Sequence, residues 1–409
     1  MARTNVKPIR DSFDTAAPAD AGGAAQLLAA VRELAPAIAA RAEEIESARR
    51  VPDDIIDDLR RIGVFRSLVP RSYGGLELSF PEVLPVLEAL STADSSVGWV
   101  SMIGTGAQLF ATRLPQQTYD RVYADGAKAV AVGVGRPSGR AEMIDSGYRI
   151  SGRWPFASGC QNAQWIAAHC VVHKDGEPVM SPQGLPVTTF VILPADRWRI
   201  EDNWRASGLA GSGSNDVSLD NVEVSEELTF DAFHGSSRVP GPLESSVLPF
   251  IAAVHGAVSI GIAAGAMADL VAMAGSGRRQ LFAATDLRDS PVFQHEFGRL
   301  SAALRAARAM LEAQTAIHWR RAAEGTLDAK ADFAESLQAS AWISSTCTEV
   351  TDGCYTLGGS SAMLNSSPLQ RRLRDAHAAK QHMFAQDRFY GIAGKNALGF
   401  VPVDPISGQ

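Results

Sequence analysis

Residues 248 to 274 read LPFIAAVHGAVSIGIAAGAMADLVAMA. A stretch this long and this apolar has two homes, a bilayer or the centre of a large helical assembly. It is mostly Ala and Gly, it carries His255 and Asp269, and no second span accompanies it. Those features favour a helix buried all round, suited to close packing or a subunit interface, over a membrane span. The remaining chain must then supply partners on every side of it.

The residues before it read first as helices, then as strands. Leu27, Val31, Leu34, Ile38 and Ile45 form one stripe with a period near 3.6 residues. Val51-Pro52-Asp53 reads as a helix start, and Ile55, Ile56, Leu59 and Ile62 form the next apolar face. Gly74-Gly75 is a turn, a further helix starts near Pro81, and helical pattern continues to about Leu114. Near residue 128 the character changes: AVAVGVG, GYRISGRWPFASG, WIAAHCVV, VTTFVILP, RWRIEDNW and NDVSLDNVEV are short, β-rich and separated by Gly, Asp and Pro. From about 243 the helical period returns, with helices expected near 246–274, 291–322, 329–357 and 366–390. The expected fold is α+β in three parts: an N-terminal helical domain over 1–127, loose to about 22, a central antiparallel β domain over 128–237, and a C-terminal four-helix bundle over 238–409. Strands and helices do not alternate, which excludes a doubly wound nucleotide-binding sheet.

Composition removes other classes. The 409 residues are 46% hydrophobic and 20% charged, ordinary for a globular chain, and the net charge of −7 offers no basic face for nucleic acid. The first residues, MARTNVKPIRDSF, lack the apolar run of a secretory signal. Cys160, Cys170, Cys347 and Cys354 are too scattered for a disulfide framework or a zinc site, so a reduced cytoplasm is the expected home. There is no GxSxG, HExxH or Walker A motif. GVGRPSG (133–139) and GLAGSGS (208–214) imitate dinucleotide fingerprints, but they lie in the β block without the spacing or the following helix.

The stretch RWPFASGCQNAQW, 153 to 165, is odd for a strand that only fills a core, because Ser158-Gly159 interrupts it. Together with VPRSYGGLELSF (69–80), SSVGWV (95–100), GLAGSGSNDVSLDNVEV (208–224) and PLQRRLRDAHAAKQH (368–382), it resembles the acyl-CoA dehydrogenase superfamily. The resemblance covers roughly residues 25 to 400. It is closest in flavour to the flavin-dependent monooxygenases of that fold, the oxygenase components of two-component aromatic hydroxylases. Dehydrogenases of the fold need a glutamate to remove an α-proton, in many of them eight positions after the Arg-Asp of the last helix. Here Arg374-Asp375 leads to Met383, preceded by His382, and Glu244 is the only acid just upstream of the first bundle helix. A methionine cannot abstract a proton.

The resemblance implies reduced flavin, FMNH2 or FADH2, supplied by a separate NAD(P)H-dependent reductase, and dioxygen, with oxygen transferred from a flavin C4a-hydroperoxide to a small aromatic substrate. It implies a homotetramer. Ser158 lies beside the flavin N5, with Phe156 and Ala157 against the ring and Gly159 allowing close approach. His382 handles the proton of a substrate hydroxyl, a task that suits imidazole; His377, five positions earlier on the same helix, points elsewhere. Gly133, Val134 and Gly135 offer backbone groups to the ring, and Trp99 walls the cavity. Arg278, or Arg279 beside it, binds the flavin phosphate from another subunit. Ser360 and Ser361, after Gly359, lie in a loop near the cofactor, and Gln294 is a weaker candidate. Arg374-Asp375 is read as an ion pair, Trp154, Trp165 and Trp204 as packing, and Cys160 as the one cysteine near the ring. An N- or S-oxygenase, an acyl-CoA dehydrogenase with a displaced base and a non-catalytic flavin-binding scaffold remain as alternatives.

Overall fold

The computed structural model describes residues 22–124, 129–244, 246–279 and 281–400. The segment expected to be loose, up to residue 22, lies outside them apart from Gly22. Six helices come first: α1 (Gly22–Ala40), α2 (Ala42–Ala48), α3 (Asp53–Ile62), α4 (Phe80–Ala93), α5 (Ser95–Ala111) and α6 (Gln116–Val122). Their starts are written in the sequence. The Glu82 carboxylate accepts from both the N–H and the hydroxyl of Ser79 at the head of α4. Asp94 caps α5 by accepting from the N–H groups of Ser96 and Val97.

Eight strands follow: β1 (Ala131–Ile144), β2 (Gly147–Ala157), β3 (Trp165–Lys174), β4 (Glu177–Pro178), β5 (Thr188–Pro194), β6 (Arg199–Glu201), β7 (Asn215–Val224) and β8 (Thr229–Phe230). They form one sheet in the order β6-β7-β2-β1-β3-β5-β8, with β4 on the end of β3. The sheet is mixed, not antiparallel as expected, because β1 and β3 run parallel. β2 turns back along one edge of β1, and the chain then crosses to the other edge. β1 therefore separates two consecutive strands, an arrangement no local pattern records.

The C-terminal helices are α7 (Leu248–Gly275), α8 (Pro291–Ala323), α9 (Ala331–Gly358), α10 (Pro368–Lys380) and α11 (Arg388–Ala397). α7 is the apolar segment. It is long and apolar enough to cross a membrane, yet 67% of its apolar window is buried by the protein itself, against α4, α5, α8, α9 and α10. Its small residues allow that closeness. A Cβ at Gly261 would lie 2.5 Å from the Glu88 carbonyl oxygen on α4, and one at Gly265 would lie 2.5 Å from the Arg372 guanidinium. Arg372 pairs with Asp269 and donates to the carbonyls of Ser91 and Thr92, so one side chain ties α10 to α7 and closes the end of α4.

Two C-terminal expectations change. The helix expected over 366–390 is two helices, because α10 stops at Lys380. The expected Arg374–Asp375 pair does not form: Arg374 pairs with Glu46, while Asp375 accepts the Leu209 N–H at 2.7 Å.

Candidate active site

The β2 strand bulges at the stretch that interrupted its pattern. Its ladder with β7 slips between Trp154 and Ala157. Phe156 sits in that bulge with φ +65, a left-handed backbone that a bulky residue rarely adopts, and its side chain is 65% exposed. Ala157 is buried. Gly159 is needed for a reason that its backbone shows directly. Its φ is +73, and a Cβ there would meet Val100 of α5 at 3.0 Å. Its freedom serves the turn and the α5 contact.

Ser158, between them, is buried, and its bonds run to side chains rather than to the bulge backbone. The Trp99 indole N–H donates to its Oγ at 3.0 Å. Its Oγ lies 2.6 Å from Ser214 Oγ, which lies 2.7 Å from Ser212 Oγ, whose hydroxyl donates to the Leu209 carbonyl at 2.6 Å. Trp99 also reaches the helical side. Its ring meets His382 edge-on at 5.4 Å and His255 edge-on at 5.8 Å, and the two imidazoles stack at 5.0 Å with 14° between planes. Three residues singled out from the sequence, Trp99, Ser158 and His382, thus meet between the sheet and the bundle.

His382 is not on a helix face. It lies in extended backbone just past α10, where its Nδ1 accepts the Phe384 N–H at 3.3 Å. His255 explains the stop. Its Nε2 lies 3.0 Å from the Ala379 carbonyl, which also receives the His382 N–H. A carbonyl accepts, so His255 donates from Nε2, and its Nδ1 is left for the Ser340 hydroxyl at 3.4 Å. Burial pushes the His255 imidazole down to about 4. Burial, and secondarily the neighbouring His255, hold His382 well below the usual histidine value. Both rings are therefore neutral at pH 7. His377 is elsewhere, exposed and bonded to Asp352 at 2.8 Å. Met383 is exposed, and among the described residues no carboxylate bonds to this group.

Residues 24–116 match the acyl-CoA dehydrogenase N-terminal domain, and residues 253–387 match the acyl-CoA dehydrogenase C-terminal domain. The indole-3-acetate monooxygenase of Pseudomonas putida is 32% identical over 366 residues, spanning 89% of this chain and 91% of that protein. The chain belongs to the acyl-CoA dehydrogenase superfamily, in its flavin-dependent monooxygenase group. Two solved members of like shape are 3-HSA hydroxylase from Rhodococcus sp. RHA1 and XiaF from Streptomyces sp., the latter in complex with FADH2 and glycerol. The first has a TM-score of 0.85 at 26% identity, covering 93% of this chain and 99% of that one. The second has a TM-score of 0.85 at 25% identity, covering 93% and 96%.

A flat flavin ring, the cofactor of this monooxygenase group, fits what the β side leaves bare. At Gly135 an added Cβ would meet nothing within 4 Å, and at Gly133 only Ala167 at 3.8 Å. Val134 between them is buried, and the β1 ladder with β2 begins only at Gly139, beyond this stretch. The exposed Phe156 ring meets only Trp204, edge-on at 6.2 Å, among ring contacts. Cys160 is buried, with its thiol pushed up to about 12 by burial, and is inert. Trp154 is wholly buried and donates to the His169 carbonyl.

The phosphate candidates lie elsewhere. Arg278 lies three positions past the end of α7, and from His255 to that end at Gly275 the helix rises roughly 30 Å at 1.5 Å per residue. Ser360 and Ser361 follow α9 at the same end, where Gly358 approaches Met273, the residue whose sulfur Arg278 touches at 3.7 Å. Arg279 is committed to Asp286, and Gln294 to the Arg288 carbonyl. Glu244 is exposed, and its backbone is held by Arg113.

Sequence reasoning missed His255, which it read only as a polar exception in α7, and Ser212 and Ser214, which it read as part of a glycine-rich loop. It also missed Ser259. That buried hydroxyl, one turn along α7 from His255, has no hydrogen-bond partner among the described residues and borders, with Ser344, Thr348 and Ala379, a gap too small to admit a water molecule. Both lie in a helix buried on nearly every face, where no polar stripe sets a single polar residue apart.

Proposed function

We propose that the protein is the oxygenase component of a two-component flavin-dependent monooxygenase that hydroxylates an aromatic or heteroaromatic small molecule. A separate NAD(P)H-dependent reductase delivers the reduced flavin. The observation that carries the reading is chemical: the His382 imidazole packs on Trp99, which bonds Ser158, burial holds that imidazole neutral, and among the described residues no carboxylate bonds to this group. An α-proton abstraction needs the carboxylate; activation of a phenol does not.

Bound reduced flavin supplies the two electrons that let dioxygen insert one atom into the substrate and release the other as water. The chain's residues do the rest. Phe156, Ala157, Gly133, Val134 and Gly135 would receive the ring, with Ser158 on its N5 side. Trp99 and Phe384 wall the site against water. With Nδ1 accepting from Phe384, neutral His382 carries its hydrogen on Nε2 and would donate a hydrogen bond to the oxygen of a substrate bound as phenolate, stabilising that electron-rich form. For Nε2 to take a proton instead, Nδ1 must release the long 3.3 Å contact.

Arg278, Ser360 and Ser361 serve the flavin phosphate of a neighbouring copy in a homotetramer. Support comes from their distance along α7, beyond the reach of one chain's own ring site, and from Leu281 and Phe282, which are 84% and 97% exposed beside Arg278. The four cysteines are buried and free, which suits a reducing cytoplasm.

The test mixes anaerobic protein and reduced flavin with ¹⁸O-labelled dioxygen over a panel of phenols and indoles. One labelled atom in the product, with little hydrogen peroxide, is expected. Label in no product, or dye reduction with acyl-CoA substrates, would overturn the reading.

A further inference from the structure

The GLAGSGS loop resembles a nucleotide fingerprint and is not one, yet it packs two hydroxyls behind Ser158. Counting hydrogens along that chain fixes its direction. Ser212 has one hydroxyl hydrogen, and the Leu209 carbonyl takes it at 2.6 Å. Ser212 therefore accepts from Ser214 at 2.7 Å. Ser214 has then spent its own hydrogen, so Ser158 must donate to Ser214 at 2.6 Å. The indole of Trp99 can only donate, and it does so to Ser158. Ser158 is left with no hydrogen to offer and one unused lone pair.

The terminus of the chain is anchored. Leu209 has a left-handed backbone, φ +51, and its N–H is held by the buried Asp375 carboxyl at 2.7 Å. A Cβ at the neighbouring Gly208 would lie 2.1 Å from the Arg374 carbonyl, so the loop sits directly on α10. The accepting carbonyl is held in place by two further donors, the Ser212 N–H at 3.0 Å and the Trp204 indole N–H at 3.2 Å.

We propose that Ser214 and Ser212 are positioning residues that hold the Ser158 hydroxyl as an acceptor, so that the site prefers reduced over oxidised flavin. The inference rests on the reading that places Ser158 at the flavin N5. In reduced flavin, N5 carries a hydrogen and donates; in oxidised flavin, N5 can only accept. A hydroxyl whose hydrogen is spent matches the first and opposes the second, leaving two acceptors face to face. Removing Ser214 frees that hydrogen to turn toward N5 and erases the discrimination.

The experiment is equilibrium binding of oxidised and of anaerobically reduced FMN and FAD to the full chain, without substrate or turnover. The reading is the ratio of the two dissociation constants. Ser158→Ala is expected to lower the wild-type preference for reduced flavin about three- to tenfold, the weight of one neutral hydrogen bond. Ser214→Ala is expected to lower it at least as far, chiefly by tightening oxidised flavin, and Ser214→Thr to retain it. Ser212→Ala, at the far end of the chain, is expected to act like Ser214→Ala and stands in for it should that variant fail to fold by circular dichroism. A wild-type ratio in Ser214→Ala and Ser212→Ala, with a lowered ratio in Ser158→Ala, overturns the role of the serine chain. A wild-type ratio in Ser158→Ala as well overturns the placement of Ser158 at N5, and the proposal with it.

Discussion

Around Trp99 the polar atoms find partners inside one chain: indole to Ser158, Ser158 to Ser214, Ser214 to Ser212, His255 to Ala379. At the other end of α7, the Arg278 guanidinium has a thioether sulfur as its one hydrogen-bond partner among the described residues, Ser360 is exposed, and Phe282 stands almost wholly in water with a left-handed backbone. The first region is closed and arranged; the second is unfinished. An unfinished region rich in exposed apolar side chains and a guanidinium without a carboxylate partner among the described residues is one that another molecule completes. The end proposed to handle protons has its partners within one chain, and the end proposed to hold phosphate is the one proposed to be completed by a second copy.

That contrast can be broken most sharply at His382. His382→Asn is expected to cut hydroxylation about a hundred- to ten-thousandfold, the span of general acid–base catalysis, while His377→Asn stays within about twofold. Turnover measured side by side decides it, and the reverse order would dissolve the closed region as the catalytic one. Arg278→Ala is expected to weaken reduced-flavin binding by roughly ten- to a hundredfold, as loss of a charged hydrogen bond does, and Arg279→Ala far less. Titration of flavin fluorescence or absorbance reads both. Phe282→Ser with Leu281→Ser is expected to reduce the oligomer seen by light scattering and to weaken flavin binding in parallel. An intact oligomer would mean that the open end is finished by something other than a second copy.

A smaller effect concerns pH. His255 is held down to about 4 by burial, below its unfolded value near 6.5. The unfolded chain takes up a proton as pH falls through about 6.5, and the folded chain resists until about 4. Stability contributed by neutral His255 is therefore present at pH 7 and lost as pH falls across that window, by on the order of 3 kcal/mol. Asp375 works the other way. Its carboxyl is raised to about 6 by burial, so its contribution is present at low pH and lost as pH rises through about 6. Urea midpoints at pH 7 and pH 5 for wild type and His255→Phe isolate the histidine, because Asp375 is common to both. The substituted protein is expected to lose less stability on acidification.

Much of the closed region was legible before any coordinates. A tryptophan after Gly98, a serine breaking the β2 pattern and a histidine where a glutamate was expected each stand out locally. α7, α8 and α9 were equally plain, because each is a long helical run with Pro or Gly at or next to an end. The stop at Lys380 was not, since Gln381-His382-Met383 holds neither Gly nor Pro and the cause, the His255 imidazole on the Ala379 carbonyl, comes from 124 residues away. His255 itself hides because a helix buried on all faces has no polar stripe against which one polar residue looks out of place. The parallel pairing of β1 with β3 hides for a similar reason: strand pattern reports faces, not neighbours.

Phe156 sets a rule for anyone redesigning this chain. Its left-handed backbone costs roughly 1–2 kcal/mol in an L-residue, and its ring is left facing solvent. Selection for thermal robustness alone would trade it for glycine. A library scored only by melting temperature would therefore favour variants that discard the aromatic platform first, and would report the loss as an improvement.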